Sequence, residues 1–193
     1  DALGRSNIRQ ITILGRRGPH QIAMTPKELG ELRHLAEANL EINAGDLPPI
    51  EADAVLDPGQ RKSLTILREL AERQVDLTKP KTISFRFFTK PLAIDGDGKA
   101  ASLLVEKTIV EGDGRAVGTG EVGALKADLI VSCIGYQSPQ LEGVPYDHQL
   151  GRYANVDGHI LPGLYCVGWA RRGPTGTIGT NRPDGQEIAE QLV

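Results

Sequence analysis

The sequence predicts an α/β chain: part of a parallel-sheet domain, a β-meander, and a short closing segment of a second domain. Three observations carry that expectation. A β-rich run ends at a glycine and is followed by a capped amphipathic helix. The middle of the chain alternates β-rich runs with Asp-Gly turns. The last quarter holds an apolar run that leads into a glycine-rich string and a helical tail.

Residues 8–14 (I-R-Q-I-T-I-L) end at Gly15 and read as a strand of a parallel sheet. T-P-K-E at 25–28 is a capping box with Pro at the first helical position, and Leu29, Leu32, Leu35 and Ala36 continue it as one apolar stripe. Residues 44–60, acidic and Pro-rich, read as loop. A second helix is expected from about Lys62, with Leu64, Leu67, Leu70 and Ala71 on one face and Arg61, Lys62, Arg68 and Arg73 in solvent. Strands at 83–88 and 103–110, with turns at 95–98 and 111–114, form the meander. Residues 128–134 (D-L-I-V-S-C-I) are nearly unbroken apolar, as expected of a strand covered on both faces. Residues 137–162 read as loop and hold the change of domain. The run at 163–167 (G-L-Y-C-V) reads as a buried strand handing over to a helix.

A hydrophobic fraction of 39% with 24% charged residues is ordinary for a globular protein, and 193 residues allow one good core or two small ones. A net charge of −3 argues against a general nucleic-acid binder. No apolar run approaches the roughly 20 residues that span a bilayer, and residues 1–5 carry no signal-peptide pattern, reading as a cut start. Cys133 and Cys166 lie far apart with no C-x-x-C, which argues against dithiol, zinc and iron–sulfur chemistry. Both are expected to be buried small hydrophobes in a reducing compartment. His20, His34, His148 and His159 form no recognisable acid–base pair, and no metal site is expected. G-T-G-E-V-G at 118–123 matches a dinucleotide fingerprint by letter only. It follows a hairpin turn and is read as loop, whereas the fingerprint needs a strand before it and a helix after it to seat a pyrophosphate.

Two strings carry the functional reading. Residues 168–181 read G-W-A-R-R-G-P-T-G-T-I-G-T-N, where glycines let backbone approach a flat or anionic ligand and a starting helix offers free N–H groups. Residues 15–21 read G-R-R-G-P-H-Q, with E-L at 28–29 and again at 31–32. Together they resemble the adrenodoxin reductase family, flavoproteins that pass electrons between NADP(H) and an iron–sulfur ferredoxin. The resemblance extends over nearly the whole chain. It implies a Rossmann-like, glutathione reductase-type fold, with a partial NADP(H)-binding domain and meander over residues 1–138 and the C-terminal segment of the FAD-binding domain over 139–193.

In a dinucleotide fold the end of the second strand lies beside the adenosine ribose, and Arg16 and Arg17 stand there, as forks of donors suited to the 2′-phosphate that marks NADP. The bland alternative is an exposed loop pair. Glu28 closes the capping box, and the resemblance also places it at the NADP site. Gly168 and Trp169 follow the family's flavin-binding pattern, with the Trp ring beside flavin and nicotinamide. Gly176, Thr177 and Ile178 would offer backbone N–H groups to the pyrimidine end of the FAD ring, Gly176 also lying near NADP. Arg61 and Lys62 are candidates for docking an acidic ferredoxin, against the alternative of an ordinary solvated helix face.

The resemblance implies the C-terminal half of an enzyme in which hydride passes between NADP(H) and FAD, inactive as the isolated chain. Its partners would be a ferredoxin-type iron–sulfur protein and the missing N-terminal half, and the uncovered apolar edge would favour a homodimer. The alternatives are an electron-input module like the glutamate synthase small subunit and a non-catalytic α/β fragment without flavin. The compartment is expected to be the cytoplasm, with the mitochondrial matrix as the alternative.

Overall fold

The computed structural model describes residues 5–176 and 178–192, and for Ile178 its backbone alone. The chain divides into two compact units between Ile130 and Val131, eight residues before the expected change of domain.

In the first unit, β1 (Gln10–Leu14), β2 (Ala38–Ile42) and β3 (Lys81–Arg86) form a parallel sheet in the order β1-β3-β2. Strand β2 has no counterpart in the sequence reading. Its string A-N-L-E-I lacks the β-branched density of β1, and it is a strand because β3 lies in register beside it, Ala38 opposite Lys81 through Ile42 opposite Phe85. Helix α1 (Pro26–Glu31) starts as expected: the Thr25 hydroxyl accepts from the Glu28 N–H at 3.3 Å, and the Glu28 carboxylate accepts from the Thr25 N–H at 2.7 Å. It is shorter than the apolar stripe implied. A 3₁₀ turn at Leu32–His34 tightens its end, which leaves Leu35 at the exit and Ala36 exposed.

Helix α2 (Pro58–Ala71) begins earlier than expected. Asp57 and Gln60 form a second capping box with Pro58 at the first position, the same signal as at Thr25 in a stretch assigned to loop. That stretch also contains 3₁₀ turns at Ala44–Asp46 and Ile50–Val55. The expected face is buried: Leu64, Leu67 and Leu70 are fully enclosed and pack with Leu29, Ile42, Ile66, Phe85 and Phe87 into the core. Burial of each such side chain contributes about 1.5–3 kcal/mol. Arg68 is not the free surface cation the helical wheel implied. It is half-buried and grips the Asp53 carboxylate through two bonds of 2.7 and 2.8 Å, which holds that carboxyl below the usual aspartate range.

The meander comprises β4 (Thr89–Asp95), β5 (Ser102–Val110) and β6 (Ala116–Lys126), antiparallel in that order. The G-T-G-E-V-G string lies inside β6 and is not a loop. It is paired to β5 across a bulge and has no following helix to seat a phosphate. Residues 128–134 form no strand. Leu129, Val131 and Ile134 are exposed, and Cys133 is exposed rather than buried. A central strand is buried only when ladder partners and covering helices lie on both sides, and this segment pairs with nothing among the described residues.

The second unit is irregular. Short pairs β7 (Tyr146–Asp147) with β8 (Arg152–Tyr153) and β9 (His159–Leu161) with β10 (Leu164–Tyr165) precede α3 (Trp169–Arg172) and α4 (Ile178–Gln191). The run at 163–167 is therefore a two-residue, part-exposed strand, and of its side chains only Cys166 is buried. No helix among the described residues is long and apolar enough to cross a membrane.

Candidate functional site

Strands β1, β2 and β3 run parallel, so Leu14, Ile42 and Arg86 end on one edge, the carboxyl edge where open parallel sheets bind ligands. The Arg turn leaves β1 at that edge. Its backbone is held firmly. Gly15 donates to the Arg86 carbonyl at 2.9 Å and accepts from the Thr89 N–H at 2.9 Å, and Gly18 donates to the Gln21 side-chain carbonyl at 3.1 Å. Gly18 leaves no space for a side chain, because a Cβ would lie 2.9 Å from the Phe88 ring.

The guanidinium groups of Arg16 and Arg17 are exposed and make no hydrogen bond or ion pair among the described residues. Two unpaired forks of donors on a rigid turn fit an exposed phosphate. His20, in the same turn, is held below its ordinary value of 6.5 by burial and then by the Arg17 charge. Glu28 does what a capping residue does. Its carboxyl is lowered first by the Thr25 amide and then by the Thr25 hydroxyl, which both donate to the same carboxylate oxygen, Oε2, at the helix start. Arg61 and Lys62 lie exposed on α2, as the sequence implied.

In the second unit Trp169 opens α3 and is 40% exposed, which excludes the enclosed core aromatic as an explanation of it. Its ring lies 5.7 Å from that of Tyr136, tilted by 32°, and its carbonyl accepts from the Ser138 hydroxyl at 3.2 Å. Gly168 donates its N–H to Asp184, whose other oxygen accepts from Arg171 at 2.8 Å; Arg171 also reaches Glu187 at 2.9 Å. Glu187 and then Asp184 raise the Arg171 guanidinium above its ordinary value. Gly176 sits at φ +82°, where a Cβ would collide with the Thr180 hydroxyl and come within 3.2 Å of Arg172. Ile178 is the first residue of α4, so the backbone turns here into a helix start whose first N–H groups have no intrahelical acceptor. Thr177 lies outside the described residues. An exposed aromatic, a glycine at positive φ and a helix start fit the edge of a flat, electron-accepting ring.

NADPH-ferredoxin reductase FprA of Mycobacterium tuberculosis is 36% identical over 203 residues, covering all of this chain and 44% of the relative. Human mitochondrial NADPH:adrenodoxin oxidoreductase is 36% identical over 208 residues, covering 99% and 42%. The structure of M. tuberculosis FprA in complex with NADPH superposes with a TM-score of 0.88 at 36% identity, over 96% of this chain and 42% of that one. The chain is a homologue of the C-terminal portion of adrenodoxin reductase-like ferredoxin–NADP(+) reductases. It spans less than half the length of these reductases. No protein-family model matches it. The fold is accordingly that of part of a dinucleotide-binding flavoprotein reductase.

Two residues escaped the sequence reading. Asp184 was visible in principle, as an acid four residues before the buried Ile188 and so on the covered face of the tail helix. Thr108 was not. Alternation from Leu103 and Val105 points Lys107 inward, and the bulge between Glu106 and Thr108 shifts the phase so that Thr108 is buried instead.

Proposed function

We propose that this chain is the part of an FAD-containing, NADPH-dependent oxidoreductase that recognises the 2′-phosphate of NADP(H) and borders the flavin, in an enzyme passing electrons between NADP(H) and a ferredoxin-type iron–sulfur protein. The observation that carries this reading is whole-chain likeness to FprA, at 36% identity and a TM-score of 0.88, joined to an unpaired arginine pair at the carboxyl edge of the parallel sheet. The bound cofactors supply the hydride chemistry, from nicotinamide to flavin or back. The protein's own residues bind and align. Arg16 and Arg17 take the 2′-phosphate, with Glu28 fixing the helix start beside them. Gly168 and Trp169 border the flavin ring, and the amides of Gly176 and Ile178 face its pyrimidine end, where negative charge collects on reduction. Arg61 and Lys62 belong to the surface that meets the acidic iron–sulfur partner.

The exposed apolar run at Leu129, Val131, Ile134 and Tyr136 supports a need for further polypeptide against this chain, from the rest of the enzyme or from a second copy. The isolated chain is therefore expected to hold FAD weakly and to show no diaphorase activity. The deciding experiment uses the complete flavoenzyme carrying this chain. Changing Arg16 and Arg17 together to Ala should raise the KM for NADPH about tenfold or more through lost charge-assisted bonds, with NADH nearly unaffected. An equal loss for both nucleotides would refute the reading.

A further inference from the structure

We propose that Thr108 is a specificity-determining positioning residue, whose buried hydroxyl aims the Arg16–Arg17 turn at the 2′-phosphate. Thr108 acts through the two arginines, so this role stands only if they bind that phosphate as set out above. Three consecutive carbonyls of the turn accept hydrogen bonds from the meander and its entry: Gly15 from the Thr89 N–H at 2.9 Å, Arg16 from the Thr108 hydroxyl at 2.7 Å, and Arg17 from the Phe88 N–H at 3.2 Å. The outer two donors are backbone groups that any residue would supply. The middle one depends on the side chain at position 108.

Neither guanidinium has a partner among the described residues, so nothing at their far ends orients them. Their direction is set at the backbone, where a fixed peptide plane fixes the Cα–Cβ vectors on either side of it. Thr108 is 2% exposed, so no solvent molecule can replace its hydroxyl, and its own N–H is occupied by the Phe88 carbonyl at 2.8 Å. Phe88 itself is held at φ +51°, a conformation that costs an aromatic residue energy and persists only where the surroundings enforce it. The strained Phe88 and the buried Thr108 thus clamp one turn from the same side. A valine at 108 keeps the shape but leaves the Arg16 carbonyl facing apolar surface with no donor. The peptide then turns toward solvent and takes Arg16 with it.

The test is steady-state diaphorase kinetics of the complete flavoenzyme with ferricyanide as acceptor and NADPH or NADH as donor, in wild type, T108V, T108S and R16A/R17A. T108V should raise the NADPH KM about fivefold, the loss expected for one buried hydrogen bond, while kcat and the NADH KM stay within about twofold. T108S keeps the hydroxyl and should match wild type. If R16A/R17A abolishes the NADPH preference but T108V changes neither nucleotide, or both equally, Thr108 is merely structural and the proposal is overturned. Equal loss of both nucleotides in R16A/R17A overturns the underlying reading, and Thr108 with it. Should T108V not fold, T108A removes the same hydroxyl at smaller volume and is read by the same criteria. A collapsed NADPH preference in T108S, whose hydroxyl remains, also refutes it.

Discussion

Replacing Asp184 with Ala should destabilise the second unit by about 3 kcal/mol. Its side chain is 6% exposed and accepts from both the Gly168 N–H and Arg171. The buried amide left without an acceptor costs about 2 kcal/mol. Arg171 keeps Glu187, but that carboxylate is 58% exposed and screened by solvent, so a further ~1 kcal/mol is lost with the buried half of the pair. Trp169 is the chain's one tryptophan and lies in this unit, so its fluorescence reports on the second unit alone. In urea, with a slope of about 1.5 kcal/mol/M for so small a unit, the Trp169 midpoint should fall by about 2 M. Lys62→Ala, on the exposed face of α2 in the first unit, should leave that midpoint in place. A drop below about 0.5 M in D184A would show that Asp184 does not hold the Gly168 turn.

Changing Gly176 to Val in the complete enzyme should weaken flavin retention, because position 176 sits at φ +82° and a branched Cβ meets Thr180 as well as the expected ligand face; a normal flavin absorbance and unchanged turnover would place the flavin elsewhere. His20 should titrate below 6.5 by NMR and move only part of the way back in Arg17→Ala, since burial, its larger cause, remains; a midpoint at or above 6.5 contradicts this. Because that value is depressed, the stability from a neutral His20 is fully present above 6.5 and is lost as pH falls through the folded value. Glu28, Asp53, Asp76, Glu106 and Glu187 are all held below their ordinary range by hydrogen bonds, so the unfolded chain binds more protons in acid. The Tm should therefore fall as pH drops from about 5 toward 3, less steeply in Glu28→Gln, and a flat profile across that range would refute the assignment.

What was legible in the sequence was local or periodic. The T-P-K-E box specified the start of α1, and the i, i+3 leucines specified the buried face of α2. The D-P-G-Q box carried the same signal for α2 but was hidden in a Pro-rich acidic stretch. Strand β2 and the segment at 128–134 show the opposite limit. A modest string became a strand because β3 lay beside it, while a strongly apolar one did not, because no strand pairs with it among the described residues.

The site divides in the same way. By itself the sequence determined the chemistry at hand: the G-R-R-G turn with its two guanidiniums, the G-W start of α3 and the glycine before α4, each a consequence of residue type and short spacing. Only tertiary structure decided which groups hold those strings in place. Thr108 reaches the Arg16 carbonyl across 92 positions because a bulge reverses its phase, and Asp184 reaches the Gly168 amide across 16 because α4 folds back on α3. Contacts of that kind depend on register and on chain return, which no local pattern encodes.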